Sequence, residues 1–207
     1  MNAFVRLLKL AGALYAAAVL AGCAARSVEH FYTVSGPLSV STGADAPRIV
    51  VSPLAIPPMI DRPQFVVRAS AHELSVLENH RWAEPLSLDL THALVEELRK
   101  SPGGFEFAER DAVRPRTTPL ELEVTISELV AGPGPSAPLR AFWVLRNRQK
   151  TCAISGRFGT EVPVQPGYAG IPPAYALAMS RLAEAITEGI SHSTSCGESA
   201  RANAGQL

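Results

Sequence analysis

Leu120, Leu122, Val124 and Ile126 alternate with Glu121, Glu123, Thr125 and Ser127. A period of two with apolar residues on one side only predicts a β-strand with one buried and one solvated face. Such a face needs an apolar cover, and two other stretches can supply it. Leu86, Leu90, Leu94 and Leu98 fall four apart with Ala93 beside them, whereas Asp89, Glu96, Glu97, Arg99 and Lys100 take the polar positions. This is the pattern of an amphipathic helix, with Pro85 suited to its first turn and Ser101, Pro102, Gly103 and Gly104 stopping it. Tyr175, Met179, Leu182, Ile186 and Ile190 repeat the pattern in a second helix that is expected to start after Pro172 and Pro173. A half-wet sheet and two helices with one apolar stripe each predict an α+β fold. The expected form is a two-layer sandwich, with a mostly antiparallel or mixed sheet and both amphipathic helices on one face.

The other strands are shorter. Residues 31–34 form an expected first strand, and residues 48–52 a β-branched second one ended by Pro53. Two alternating runs, 64–68 and 73–77, fit a hairpin around residues 69–72, and a further hairpin joins 141–145 to 151–158 around 147–150. Residues 35–47, 131–138 and 159–173 are rich in Gly, Pro and Ser and read as loops. Residues 31–192 thus form a single expected domain, and the small polar residues 193–207 a flexible tail.

The N-terminus has a separate logic. Arg6 and Lys9 are the only charges in the first 22 residues, residues 10–20 are apolar, and Ala21, Gly22 and Cys23 follow directly. That is the tripartite pattern of an export signal. The run is too short to cross about 30 Å of hydrocarbon, which takes about 20 helical residues. Cys23 after small residues resembles the bacterial lipoprotein lipobox, which implies a signal peptide over 1–22, covalent lipid on Cys23 and no other cofactor. Several acyl chains on one residue hold a membrane stably, where a single chain holds it marginally. The resemblance also implies export to the outer membrane, facing the periplasm, because Ala24 stands where an Asp would retain the protein at the inner membrane. Residues 23–30 would form the lipidated tether, and residues 24–30 reach roughly 20 Å when extended.

In that oxidising compartment Cys152 and Cys196 are a candidate disulfide, closing a loop of roughly 45 residues and contributing up to about 4 kcal/mol on the chain-entropy view. Cys152 in an apolar strand slot reads equally well as a small buried hydrophobe.

Composition excludes several functions. Nineteen basic and 19 acidic residues give zero formal charge, with 18% of residues charged, so there is no electrostatic footprint for nucleic acid. The chain has no Gly-x-Ser-x-Gly elbow and no Walker-type phosphate loop, and His30, His72, His80, His92 and His192 lack ligand spacing, so no catalytic or metal site is expected. Two polar clusters stand out at element boundaries: Asp61, Arg62, Pro63 and Gln64, and then Arg81, Trp82, Glu84 and Pro85. Arg and Trp are common interface anchors. The structural alternative has Glu84 capping the first helix, Trp82 filling the edge of the core, and Arg62 or Arg81 paired with an acid.

These two clusters at this separation, with the strand through Val66, Val67 and Arg68 between them and Phe31-Tyr32-Thr33-Val34 before them, closely resemble the PqiC family of ABC-type transport auxiliary lipoproteins. The resemblance implies a non-enzymatic docking subunit at the outer membrane. Its implied partners are a periplasmic MCE-domain protein and, indirectly, an inner-membrane ABC permease and ATPase, in a system that moves lipid between membranes. It also implies self-association as a homo-oligomer. A periplasmic lipid-binding carrier is the alternative, and it requires an apolar cavity of several hundred Å³.

Overall fold

A computed structural model describes residues 28–37, 48–101, 104–110, 120–132, 135–147 and 153–192. Cys23, Cys152 and Cys196, and with them the lipidation and disulfide expectations, lie outside the described residues, as do the signal peptide and the tail. The described strands are β1 (His30–Tyr32), β2 (Arg48–Val51), β3 (Gln64–Ser70), β4 (Glu73–Trp82), β5 (Glu106–Glu109), β6 (Leu120–Glu128), β7 (Ser136–Asn147) and β8 (Ala153–Pro163). The helices are α1 (Leu86–Lys100) and α2 (Ile171–Ser191), the latter entered through a 3₁₀ turn at Tyr168–Gly170.

The α+β class is as expected, but the strands divide into two sheets. A five-stranded sheet has the order β5-β2-β6-β7-β8, and a three-stranded sheet the order β1-β4-β3. In the larger sheet β2 runs parallel to β5 and β6, while β6, β7 and β8 form an antiparallel meander. In the smaller one β1 lies parallel to β4, and β3 and β4 form the expected hairpin. Alternation in β6 is obeyed residue by residue: Leu120, Leu122, Val124 and Ile126 are buried, and Thr125 and Ser127 are exposed. Their inward side chains meet Ala137, Leu139, Ala141, Trp143 and Leu145 of β7 in one core with both helices.

Four departures from the sequence reading have local causes. β5 was not expected, because Phe107 and Ala108 are its only apolar residues; it is ordered by parallel pairing to β2 and by Arg99 Nε donating to the Phe107 carbonyl at 3.0 Å. β4 continues past Leu77 to Trp82, since β1 supplies a second pairing partner from His80 onward. β7 begins at Ser136, inside the expected loop. Pro138 is tolerated there because pairing with β6 ends at Arg140, so this end of β7 meets only β8 and the missing N–H interrupts one ladder at most. Finally, α2 starts at Ile171 and takes Pro172 and Pro173 into its first turn, where no intrahelical N–H is needed.

Two glycines set the spacing between α2 and the sheet. A Cβ at Gly156 of β8 would lie 2.7 Å from the Trp143 indole, and one at Gly189 of α2 would lie 2.6 Å from it. The indole therefore fills space that two missing side chains leave. Gly→Ala inside a helix ordinarily stabilises by about 1 kcal/mol. Here Gly189→Ala is expected to destabilise by about 1–3 kcal/mol through overpacking, with Trp143→Phe relieving part of the loss; urea denaturation of the single and double variants checks both.

Candidate partner-binding site

The two polar clusters converge where β1, β3, β4 and α1 meet. Gln64 opens β3 opposite Arg81 of β4, and the Trp82 N–H donates to the Pro63 carbonyl at 2.7 Å. The Ala83 N–H then donates to the Tyr32 carbonyl at 2.8 Å, which brings β1 to the same corner. Pro85 occupies the N-cap position of α1 and has no side-chain acceptor to offer. The cap comes from elsewhere: Asp61 Oδ1 accepts from the Ser87 N–H at 3.2 Å, satisfying one of the donors a helix start leaves unpaired. Glu84 does not cap α1. Its carboxylate meets His92 Nδ1 at 3.2 Å, and His92 Nε2 meets Glu109 at 3.3 Å, so the imidazole links the entry of α1 to β5.

The arginines divide. Arg81 pairs with Glu29 at 3.4 Å, immediately before β1, and its Nε donates to the Glu78 carbonyl. Arg62 is exposed and donates to Gln64 Oε1 at 3.3 Å, with no acidic partner among the described residues. Gln64 in turn donates from Nε2 to Glu78 at 3.2 Å. Asp61, Arg62, Pro63 and Pro85 are exposed and Gln64, Arg81 and Glu84 partly so, next to Met59 with 59% of its surface open.

Trp82 has the opposite environment. Only 5% of it is exposed, and its ring meets Phe65 in a tilted contact at 4.1 Å and stacks on Tyr175 at 5.8 Å between centroids. It is a core residue joining the small sheet to α2. Tyr175 secures the far side of that joint: its hydroxyl accepts from the Ala131 N–H at 3.2 Å and donates to the Leu129 carbonyl at 3.3 Å. Complete burial pushes its phenol up to about 12, opposed by the Ala131 N–H.

The residue that sequence reading misassigned most is Asp89. Its helical position reads as solvated, yet its side chain is fully enclosed. Oδ2 accepts from the Val34 N–H at 2.7 Å, and Oδ1 from the Ser35 N–H at 2.9 Å and the Thr33 hydroxyl at 3.0 Å. Two residues along, Thr91 Oγ1 accepts from the Leu54 N–H at 3.0 Å and donates to the Ser87 carbonyl. One turn of α1 therefore holds two distant loop segments. A sequence signal exists only in retrospect, as Asp and Thr among apolar neighbours on the inward arc.

An aromatic row continues from this corner along β4. His80 stacks on His30 at 5.2 Å, accepts or donates at Nδ1 with the Tyr32 hydroxyl at 3.1 Å, and meets Tyr168 at 4.7 Å. Burial, and then the neighbouring His30, hold the His80 pKa below its ordinary 6.5. Among the described residues no group of three or more His, Cys, Asp or Glu side chains could hold a metal ion, and no helix is long and apolar enough to cross a membrane.

Comparison with known proteins identifies the class to which this architecture belongs. The model of the ABC-type transport auxiliary lipoprotein component matches residues 32–187, from the end of β1 to the last turns of α2. The chain belongs to that family, which is one of transport auxiliaries and lipoproteins. Two solved structures share the fold. One, of an uncharacterised protein, has a TM-score of 0.68 at 20% identity and covers 79% of this chain and 99% of its own. The other, a protein from Xanthomonas campestris, has a TM-score of 0.59 at 18% identity and covers 76% and 92%. Comparison with curated proteins gives no match.

Two expected outcomes follow from this geometry. Trp82→Ala should cost about 3–5 kcal/mol, as emptying a buried aromatic site does, and Asp89→Ala about 1–3 kcal/mol for each buried donor left unsatisfied. Arg62→Ala should stay within about 0.5 kcal/mol of wild type in the same urea series. The second outcome concerns His80. Because its folded pKa is depressed, the unfolded chain takes up a proton that the folded protein resists once pH falls below 6.5. Its unfavourable contribution is absent above that value and grows as pH falls towards the folded pKa. Melting temperatures at pH 7.5 and 5.5 should show a smaller acid-induced drop for His80→Gln than for wild type.

Proposed function

We propose that the protein is an outer-membrane-anchored periplasmic lipoprotein that docks a periplasmic MCE-domain protein, as the non-catalytic auxiliary of an ABC-type intermembrane lipid transport system. The observation that carries this reading is the family match over residues 32–187, which spans nearly all of the described fold. The leader supports it too. Small residues followed by Cys23, with Ala24 next, suit triacylation and release to the outer membrane. ATP hydrolysis would belong to a partner, reached through the MCE-domain protein and an inner-membrane permease.

The surface suited to docking is the exposed rim of the motif: Asp61, Arg62 and Pro63 with Met59, flanked by Gln64, Arg81, Glu84 and Pro85. It combines an apolar thioether, which adapts to irregular partners, with a guanidinium free of acidic partners among the described residues. Trp82 lies beneath this rim and supports it from the core. Self-association of the lipoprotein would multiply such rims around one partner.

Affinity purification of the full-length lipoprotein from detergent-solubilised envelopes, with mass spectrometry of proteins and lipids, tests the reading. An MCE-domain protein should be recovered with wild type. It should be lost with the Arg62→Ala, Arg81→Ala double variant at near-native melting temperature, and membrane attachment should be lost with Cys23→Ser. Stoichiometric lipid without a protein partner would overturn the adaptor reading in favour of a carrier.

A further inference from the structure

A groove of about 620 Å³ runs between the small sheet and the loops that lead out of β6 and into α2. Its walls include Val67 of β3, Leu77 of β4, Ala131 and Ile171, and its volume falls in the range of small-molecule sites, about 300–1,000 Å³. Among the described residues its lining contains one charged side chain, Arg68, and no acid. Other arginines of the fold are neutralised by glutamates: Arg48 by Glu106, Arg81 by Glu29, Arg140 by Glu128. Arg68 has no carboxylate partner among the described residues. Its backbone N–H is fixed by the Ala131 carbonyl at 2.8 Å, and its guanidinium makes one long bond, from Nη1 to the Ala71 carbonyl at 3.4 Å. Most of its five N–H donors are therefore open to an anion.

The groove is also close to the point where the tether ends. Tyr168 lines it and meets His80, which stacks on His30, the first residue of β1. Only residues 24–29 separate His30 from Cys23, a reach of roughly 20 Å. An apolar trough with one cation, held that near a bilayer, matches an amphiphile rather than a peptide or a free metabolite. We propose that the groove binds one acyl chain of an anionic phospholipid from the adjacent membrane, with the phosphate on Arg68. The proposal rests on the reading of Cys23 as the lipid anchor and adds a ligand site to it.

The test uses the full-length lipidated protein in nanodiscs of phosphatidylcholine containing a small fraction of diazirine-acyl phosphatidylglycerol or, in parallel, diazirine-acyl phosphatidylcholine. After irradiation, peptide mapping should find phosphatidylglycerol adducts on β3, on β4 and at the start of α2. Arg68→Gln should lower them about tenfold, the loss expected for one charge-assisted contact. Gly132→Phe, at a position where an added Cβ meets Arg68 carbons no closer than 3.7 Å, should plug the groove and abolish the adducts without changing the melting temperature. Adducts absent from the groove, or equal for both lipids and indifferent to Arg68→Gln, would overturn the proposal. Failure of the protein to enter nanodiscs would instead overturn the anchor reading. Partner capture by both groove variants separates this site from the adaptor function: capture retained and adducts lost means two independent surfaces.

Discussion

The carboxylate of Asp89 holds the fold together at the point where the chain enters it. A fully buried acid is tolerated only when its lone pairs are filled, and here both oxygens accept from Thr33, Val34 and Ser35. These three residues follow β1 directly, so the carboxylate fixes the incoming chain on α1. β1 has only three residues and pairs along one side with β4. Its few ladder bonds would not hold it alone, and the clasp behind it supplies the constraint.

The rest of the small sheet depends on aromatic packing. Tyr32, Phe65, Trp82 and Tyr175 form a continuous run of ring contacts from β1 through β3 and β4 to α2, tilted at Phe65 and stacked between Trp82 and Tyr175. Ring pairs add directional preference to apolar burial, so the run fixes both the distance and the orientation of the small sheet on the second helix. Towards the other end of α2, Gly156 and Gly189 admit the Trp143 indole. Two tryptophans thus seat the two ends of one helix, although only 6% of the chain is aromatic. The two polar clusters owe much of their pattern to this arrangement: Asp61 caps α1, the Pro63 carbonyl receives Trp82, and Glu84 reaches His92. What they leave at the surface is a narrow rim of Asp61, Arg62 and Pro63.

Elements carried by periodicity were legible in the sequence. The alternation at residues 120–127 and the two leucine- and isoleucine-rich stripes gave β6, α1 and α2, and the turn residues between 69 and 72 gave the β3–β4 hairpin. The misses share a cause. β5 has too few apolar residues to show a pattern and exists because β2 offers an edge. The extension of β4 to Trp82 needs β1 alongside it. Asp89 looks solvated on a helical wheel, and only a distant loop makes its burial possible. Residues 136–138 read as loop because a proline normally ends pairing, and they form the start of β7 because only β8 pairs with β7 there.

The sequence by itself determined the α+β class, the two amphipathic helices and the placing of two polar clusters at element boundaries. These are local properties, set by side-chain periods and by residue order. Only the tertiary structure decided that the strands split into two sheets, that Trp82 is core while Arg62 is surface, and that a groove lined by Arg68, which has no carboxylate partner among the described residues, opens between β3 and the entry to α2. Those outcomes depend on which residues far apart in the chain come within a few ångströms, because burial of a polar group and exposure of an apolar one are properties of neighbours and not of the residue itself.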